Sequence, residues 1–293
     1  MGSYQSSSTN LKSFEKRKGA RRRSGIPPEV LDALNQGKLE SLNLVEWLAI
    51  DQVTLLDNVL TEIGLENPIK VLSSSDLKFL NEGIMKQLKG IGELLFKIIE
   101  KSEAQVKICQ ILGNHSSDMV RAWMAFYIAA NSHLDLSSRL KMMRKFADDS
   151  SMSVKECAWV SLRPYLVKDL TTSFQLLIPW VQDKDPNIRR CAIEATRPRG
   201  VWCQHIPQLK ENPELGLTLL EFVRSDSSKY VQRSVGNWLN DASKSQPDWA
   251  INTCQRWQKE SPTPPTKWIV KHGLRSLLKK DTHYQLIIQE FLS

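Results

Sequence analysis

The second half of the chain repeats one pattern of apolar and polar positions. In most repeats, a loop that contains Asp or Ser is followed by a β-branched residue and then by a polar or basic residue. Successive β-branched positions are 34, 34, 43 and 39 residues apart. A period in this range predicts stacked helix pairs, because a single pair cannot bury its apolar face without neighbours. The β-branched positions are Val120, Val154, Ile188, Val231 and, more loosely, Val270.

The pattern also predicts which side of each repeat helix is buried. Counted from the β-branched residue as position zero, positions 0, 4, 7 and 8 share one face of an α-helix. Most of these positions are apolar, as in Val154, Ala158 and Leu162, so we expect them to form the core. Positions 2, 6 and 9 lie on the opposite face, which is mainly charged or polar. This face carries Glu156, Arg163, Arg190, Glu194, Arg197, Arg233, Asn237 and Asn240, with Asp241 at its margin.

No run of useful length alternates apolar and polar residues, so the sequence predicts an all-α chain. We expect a solenoid of helix pairs with a concave face. Three parts are predicted: a disordered basic arm over residues 1–25, an N-terminal helical cap over 26–101 and a repeat solenoid over 102–293. The predicted helices lie at about 28–36, 40–50, 51–63, 76–101 with Ser73–Asp76 as its N-cap, 103–112, 117–131, 135–148, 152–166, 169–182, 187–197, 213–224, 229–243, 247–259, 265–280 and 282–292.

Positive charge is concentrated at the N-terminus. The chain has 293 residues and a formal net charge of +8, of which residues 1–25 contribute +6. A block of like charges is usually disordered, and attraction to phosphates is its commonest use. Nucleic acid is therefore the first predicted partner, with a solubilising tail or an organelle address as the alternatives. The basic residues of the arm are Lys12, Lys16, Arg17, Lys18, Arg21, Arg22 and Arg23, and its one acid is Glu15.

Composition argues against several other classes of protein. No apolar run approaches the ~20 residues that cross a bilayer. The first 25 residues lack the apolar stretch of a secretory signal. The five cysteines include no CxxC pair, and the five histidines show no metal-ligand spacing. We therefore predict no metal, no cofactor and a reduced cytosolic protein.

The charged face of the repeats combines groups that favour different ligands. Arginines suit a phosphate backbone, because they form bidentate charge-assisted hydrogen bonds. A bare carboxylate is repelled by phosphate, so a basic face that keeps Glu156, Glu194 and Asp241 favours chemistry on a cationic group. The alternative is an ordinary solvated face, in which pairs such as Arg190 with Glu194 stabilise a helix.

Two further features have competing interpretations. Trp202 follows Arg197–Gly200, where its indole would stack on a sugar or base or hold a cation. Alternatively, Trp202 caps the hydrophobic core. Leu88–Gly92 is similar to the hairpin of helix-hairpin-helix DNA-binding modules, but it lies within a helical pattern and lacks the expected proline.

Residues 154–165, 188–199 and 230–241 form three related segments, and the second contains Glu-Ala-Thr-Arg-Pro-Arg at 194–199. Together with Gly25–Asp51, they resemble the AlkC branch of the AlkC/AlkD family of bacterial DNA alkylation-repair glycosylases. The resemblance implies a HEAT-like solenoid whose concave face binds DNA. It also implies a monofunctional glycosylase that hydrolyses the N-glycosidic bond of cationic bases, namely 3-methylcytosine, 1-methyladenine and 3-methyladenine.

The resemblance further implies roles for individual residues. Glu156, Glu194 and Asp241 match acidic positions of the family and are predicted to be the catalytic carboxylates. The implied partner is double-stranded DNA with alkylated bases, bound by a monomer in the bacterial cytoplasm at the nucleoid. The predicted substrate and DNA contacts are Trp202, Arg190, Arg163, Arg197, Arg199 and Arg233.

The chain departs from many relatives at its C-terminus, since they carry an immunoglobulin-like domain and this sequence stops at residue 293. We expect the Arg-rich arm at 16–23 to supply the DNA-binding contacts that such a domain provides. A second function class also stays open: a non-catalytic HEAT-like scaffold that binds DNA structures or an acidic protein.

Overall fold

The computed structural model describes residue 14 and residues 17–65, 77–280 and 282–292. Within these ranges the regular structure consists of helices and contains no strand, so the all-α prediction is confirmed. The α-helices are α1 Pro28–Asn35, α2 Leu44–Ala49, α3 Gln52–Glu62, α4 Ile84–Ile99, α5 Gln105–Gly113, α6 Asp118–Ala130, α7 Leu136–Ala147, α8 Met152–Leu166, α9 Leu170–Val181, α10 Pro186–Ala195, α11 Pro207–Glu211, α12 Leu217–Val223, α13 Lys229–Ser243, α14 Pro247–Glu260, α15 Pro264–Gly273, α16 Leu277–Lys280 and α17 Thr282–Leu292. Short 3-10 helices span Arg23–Gly25, Lys78–Asn81 and Pro213–Gly216.

Most predicted helices agree with the observed ones to within two residues. The helices predicted from about 40, 76 and 213 begin later, at Leu44, Ile84 and Leu217. The proposed N-cap Ser73–Asp76 lies outside the described residues. The helix predicted to reach residue 197 ends at Ala195, because a residue before proline disfavours helical dihedrals and Pro198 follows closely. The helix predicted over 265–280 stops at Gly273 and resumes at Leu277. The short α11 was not predicted.

The chain divides into two compact units. The first contains residues up to 133 together with 149–158, and the second contains 134–148 and 159–293. The apolar positions of the repeats are buried in both, as predicted: Val120 and Val154 in the first unit and Ile188 and Val231 in the second are at most 1% exposed. None of the described helices has both the length and the apolar character needed to span a membrane.

In the first unit, α4 packs closely against α6. A Cβ atom on Gly92 would lie 2.5 Å from the backbone carbon of Phe126, so only glycine permits this approach. The segment Leu88–Gly92 is continuous α-helix, and the helix-hairpin-helix interpretation is therefore wrong.

A buried polar network connects the start of α6 to the loops before α2 and before α8 in the first unit. Asp118 accepts hydrogen bonds from the Ser41 backbone N–H at 3.2 Å, the Ser41 hydroxyl at 2.6 Å and the Ser151 hydroxyl at 2.9 Å. Burial raises the pKa of Asp118, although these hydrogen bonds act in the opposite direction. Arg121 pairs with both oxygens of Asp149 at 2.8 and 2.9 Å and with Glu40 at 2.7 Å.

In the second unit, α13 packs against α10 on one side and α15 on the other. A Cβ atom on Gly236 would lie 2.7 Å from His272, and one on Gly273 would lie 2.8 Å from the Leu239 Cβ atom. These two glycines let the helix axes approach closely. Because α10 and α13 are fixed side by side, charged side chains near their C-terminal ends are brought together.

Candidate active site in the second unit

A buried ion cluster joins the end of α10 to the end of α13. Arg197 donates from Nη1 to Glu194 Oε2 at 2.9 Å. The same guanidinium donates from Nε to Asp241 Oδ2 at 2.9 Å, and its Nη2 forms an ion pair with that oxygen at 2.9 Å. The side chains of Glu194 and Asp241 are 5% and 4% exposed. One arginine thus holds both predicted catalytic carboxylates of this unit in fixed positions.

The local sequence explains why these groups meet. Helix α10 begins at Pro186, a residue suited to a first turn, and the Asp185 side chain caps it by accepting from the Asn187 N–H. Its last turn carries Glu194, and Arg197 follows three residues later. The Trp238 indole N–H donates to the Thr196 carbonyl at 3.0 Å, which fixes the chain after α10 against α13.

The charge state of the cluster follows from its contacts. Burial acts to lower the pKa of Arg197, but the charges of Glu194 and Asp241 and their hydrogen bonds outweigh it, so that pKa is raised. Arg197 therefore stays cationic. Arg190 and Lys244 also approach these carboxylates, at 4.0 and 3.5 Å, so the two buried carboxylates are held among three cations.

Arg163 anchors the loop that follows α10. Its side chain donates to three backbone carbonyls: Ala195 at 3.0 Å, Arg197 at 2.6 Å and Gln204 at 3.0 Å. The residue is only 3% exposed, and burial lowers the pKa of its guanidinium. In this structure the hydrogen bonds of Arg163 are directed at the protein, and a direct contact with DNA stays a prediction.

The anchored loop is closed and tightly packed. The Ile206 N–H donates to the Pro198 carbonyl at 3.0 Å, which closes the segment between them. A Cβ atom on Gly200 would lie 2.4 Å from Cys203 Sγ and 3.3 Å from the Arg163 guanidinium carbon. A larger residue at position 200 would press against the Cys203 side chain and crowd the Arg163 guanidinium, so glycine suits the packed loop.

Trp202 is presented by this loop to solvent. Its side chain is 54% exposed, so the alternative that it caps the hydrophobic core is wrong. Its backbone φ is 67°, in the left-handed region that bulky residues rarely adopt. Such strain costs of order 1–3 kcal/mol and occurs preferentially at functional sites. A large exposed indole held in a strained turn is well placed to contact a ligand.

The remaining predicted arginines differ in their exposure and in their contacts with other protein groups. Arg190 is 7% exposed, lies over the Tyr230 ring with its guanidinium 4.5 Å from the ring centroid, and approaches Glu194 Oε1 at 4.0 Å. Arg199 donates to the Asp241 carbonyl at 3.3 Å and to the Ser245 hydroxyl at 2.8 Å. Arg233 is exposed.

Glu156, the third predicted carboxylate, belongs to the first unit. It lies on α8 and is partly buried. The second unit thus brings together Glu194, Asp241 and four of the predicted arginines, Arg163, Arg190, Arg197 and Arg199.

Two contributors to the cluster were not predicted. The Ser234 hydroxyl donates to Glu194 Oε1 at 2.6 Å and is itself 1% exposed. Lys244 Nζ lies 3.5 Å from Asp241 Oδ1. Ser234 stands at position 3 of its repeat helix, which the periodicity assigned to neither face, so only the packing of α10 on α13 identifies it. Among the described residues, no group of three or more His, Cys, Asp or Glu side chains is arranged to hold a metal ion.

Comparison with known proteins agrees with this site. The family described as "DNA alkylation repair enzyme" matches residues 135–274, which contain every site residue described above. A structural comparison finds the alkylpurine DNA glycosylase AlkC of Pseudomonas fluorescens bound to DNA containing an abasic site analog. The TM-score is 0.60 and the identity 26%, over 73% of this chain and 58% of AlkC. Residues 135–274, nearly half of the chain, are thus similar to the DNA alkylation repair enzyme family, and the fold is similar to that of AlkC.

Other AlkC/AlkD-like proteins show how far the likeness extends. AlkD2 from Streptococcus mutans has a TM-score of 0.53 at 21% identity, over 68% of this chain and 94% of that one. The smu.31 protein of Streptococcus mutans UA159 has a TM-score of 0.51 at 21% identity, over 64% and 90%. These two likenesses concern the fold alone, and they support the predicted all-α helical-repeat class.

A curated relative, the uncharacterized protein YhaZ of Bacillus subtilis (strain 168), is 40% identical over 120 residues. That match covers 41% of this chain and 33% of YhaZ. The chain therefore spans a little over half of AlkC, and its match to YhaZ spans a third of that protein.

Proposed function

We propose that this chain is a monofunctional DNA glycosylase of the AlkC/AlkD family. It would hydrolyse the N-glycosidic bond of cationic N-alkylated bases, with 3-methylcytosine, 1-methyladenine and 3-methyladenine as its substrates. The observation that carries the proposal is the pairing of two buried carboxylates, Glu194 and Asp241, with the exposed Trp202 on the loop that Arg163 and Arg197 hold in place.

The chemistry of the substrate fits a site with two fixed, buried carboxylates. Alkylation of a ring nitrogen makes the base cationic and a better leaving group, so little acid catalysis is needed. Bond cleavage then moves positive charge onto the deoxyribose, as in other glycoside hydrolyses. Fixed carboxylates stabilise that charge without reorganising, because Arg197 and Ser234 have already oriented them.

The hydrogen bonds of the cluster distinguish its two carboxylates. Both oxygens of Glu194 accept a hydrogen bond, from Ser234 and from Arg197. Asp241 receives both of its Arg197 contacts on Oδ2, while Lys244 at 3.5 Å is the only polar partner of Oδ1 among the described residues. We therefore assign orientation of the attacking water to Asp241 Oδ1 and electrostatic stabilisation to Glu194.

Trp202 and Glu156 are the two other residues of the proposal. An exposed indole stacks on a sugar or holds a cation against its face, and either contact favours a cationic base. Glu156 is proposed as a third carboxylate on the strength of the family resemblance. The substrate is double-stranded DNA, bound by a monomer in the cytoplasm, with Arg190 and Arg233 as contacts to the lesion strand.

A non-catalytic DNA-binding scaffold is the second candidate. It is favoured by one observation: Arg197 neutralises part of the carboxylate charge, as expected of a purely structural ion cluster. The two candidates differ in whether the carboxylates are needed for bond cleavage or only for folding.

The test is single-turnover release of free base from a duplex with one 3-methylcytosine or 3-methyladenine. Glu194→Gln and Asp241→Asn keep the size of each side chain and remove its charge. Each should slow release by roughly 10²–10³, the loss typical of one preorganised group. Glu260→Gln is the matched control, because Glu260 pairs with Arg224 in the same unit but is 43% exposed. Release at the wild-type rate by both site variants would reject this active site and favour the scaffold.

A further inference from the structure

Part of the basic N-terminal arm is attached to the cap. Arg17 donates from Nη2 to Glu46 Oε2 at 2.8 Å and to the Glu40 carbonyl, also at 2.8 Å. The side chain of Glu46 is 1% exposed and that of Arg17 12% exposed. Arg17 is therefore paired with a buried carboxylate and is an anchor of the arm, not a cation available to a ligand. Lys12 and Lys16 lie outside the described residues.

Further contacts hold the residues after Arg17. The Ala20 N–H approaches Glu46 Oε1 at 3.4 Å, and the Asn43 side chain donates to the Ala20 carbonyl at 2.9 Å. A Cβ atom on Gly19 would crowd the Asn43 side chain, so the arm lies close against the start of α2. The 3-10 helix Arg23–Gly25 then leads into α1.

Between these attachments the arm presents cations to solvent. Lys18, Arg21, Arg22 and Arg23 are exposed. None of them forms an ion pair with a carboxylate of the described residues. The arginines of the candidate active site differ in this respect, because Arg163, Arg197 and Arg199 donate to protein groups. The arm therefore presents a local cluster of four exposed cations that the paired arginines of the candidate site do not provide.

We propose that Lys18, Arg21, Arg22 and Arg23 form a binding site for the phosphodiester backbone of duplex DNA, and that the Arg17–Glu46 pair holds this site in shape. The proposal rests on the proposed function only in taking DNA as the partner. A segment that is already ordered loses less conformational freedom on binding than a disordered tail. Contacts to phosphate are independent of base sequence, so this site supplies affinity and not lesion recognition.

The first test is binding of an undamaged duplex, followed by fluorescence anisotropy over a series of salt concentrations. The variant Arg21→Gln/Arg22→Gln/Arg23→Gln removes three exposed charges. Each phosphate contact contributes about 0.9 to the slope of log affinity against log salt, so the slope should fall by about 2–3. Binding at low salt should weaken by roughly 10- to 100-fold.

The matched control removes the same number of exposed charges elsewhere in the first unit. Lys97, Lys101 and Lys107 are exposed and have no carboxylate partner among the described residues. The triple Lys→Gln variant at these positions should change the salt slope by less than one. Equal losses in the two triple variants, or an unchanged slope in the arginine variant, would overturn the proposal.

The Arg17–Glu46 pair allows a second test, in which the proposal and the net charge of the protein predict opposite changes in DNA affinity. Glu46→Gln makes the protein more positive and frees Arg17, so net charge alone predicts tighter DNA binding. The proposal predicts weaker binding, because the segment loses its fixed shape. Tighter binding by a variant with a native circular dichroism spectrum would reject the anchor.

Base release by the wild-type protein separates this proposal from the proposed function. Intact release with an unchanged salt slope rejects the arm site alone. A reduced slope in the arginine variant, together with no release of any cationic base by the wild type, rejects the glycosylase and keeps the arm site.

Discussion

Arg197 is the residue whose loss should most clearly reveal how the candidate site is held together. The substitution Arg197→Met keeps an unbranched apolar stem and removes the guanidinium with its charge. It also removes two charge-assisted hydrogen bonds and one further ion-pair contact, all of 2.9 Å, and leaves Glu194 and Asp241 buried without their shared cation. Breaking a buried ion pair from one side typically costs 3–5 kcal/mol, because an uncompensated charge stays inside. We therefore predict a loss of about 3–5 kcal/mol in the free energy of unfolding.

The assay is urea unfolding followed by circular dichroism. The double variant Arg197→Met/Asp241→Asn restores the original net charge of the cluster, so it should recover about 1–2 kcal/mol relative to Arg197→Met. Arg224→Met is the control: its side chain is 29% exposed and pairs at the surface with Glu221 and Glu260, so its loss should cost about 1 kcal/mol or less. A cost below about 1 kcal/mol for Arg197→Met, or no recovery in the double variant, would refute the shared-counterion account.

Three further predictions concern the loop and the neighbouring helix. Trp202→Gly should raise the free energy of unfolding by about 1 kcal/mol, because glycine accepts a φ of 67°. The same variant should slow base release at least tenfold. A lower free energy of unfolding would contradict the claim that the Trp202 backbone is strained. Arg163→Met should loosen the loop over 196–206, because three backbone carbonyls lose their hydrogen-bond donor. The expected result is faster proteolysis within the loop together with slower base release. Burial, helped by Arg275 and Arg233, lowers the pKa of His272 to about 4. Neutral His272 therefore contributes stability above pH 6.5, and this contribution is lost as the pH falls towards 4. After screening by solvent it is worth about 1 kcal/mol. His272→Gln should therefore make the urea midpoint of unfolding less dependent on pH between 6.5 and 4.

The helices were predictable because their apolar positions repeat. The core residues Val154, Ile188 and Val231 all lie where the period placed them. Helix α11 was missed, since its five residues are too few to show a period. The break after Gly273 was missed as well, because the apolar pattern continues through Leu274 to Leu278 while the backbone does not.

The site was predictable as a set of residue types and not as a set of contacts. The spacing of Glu194 and Arg197 indicates a local pair, but nothing in the sequence joins Arg197 to Asp241, which is 44 residues away. For the same reason, the sequence does not show that the donors of Arg163 point at Ala195 and the loop carbonyls. Whether an arginine faces solvent or a carbonyl depends on the packing of helices far apart in the chain.

The central claim is that the site acts on a positively charged base. The most direct measurement is single-turnover release, by the wild-type protein, of 3-methyladenine and of neutral uracil from duplexes of otherwise identical sequence. The account predicts release of the cationic base, leaving an abasic site in an unbroken strand, and retention of the neutral one. Equal release of both bases, or no release of the cationic base by protein that binds the duplex, would contradict it.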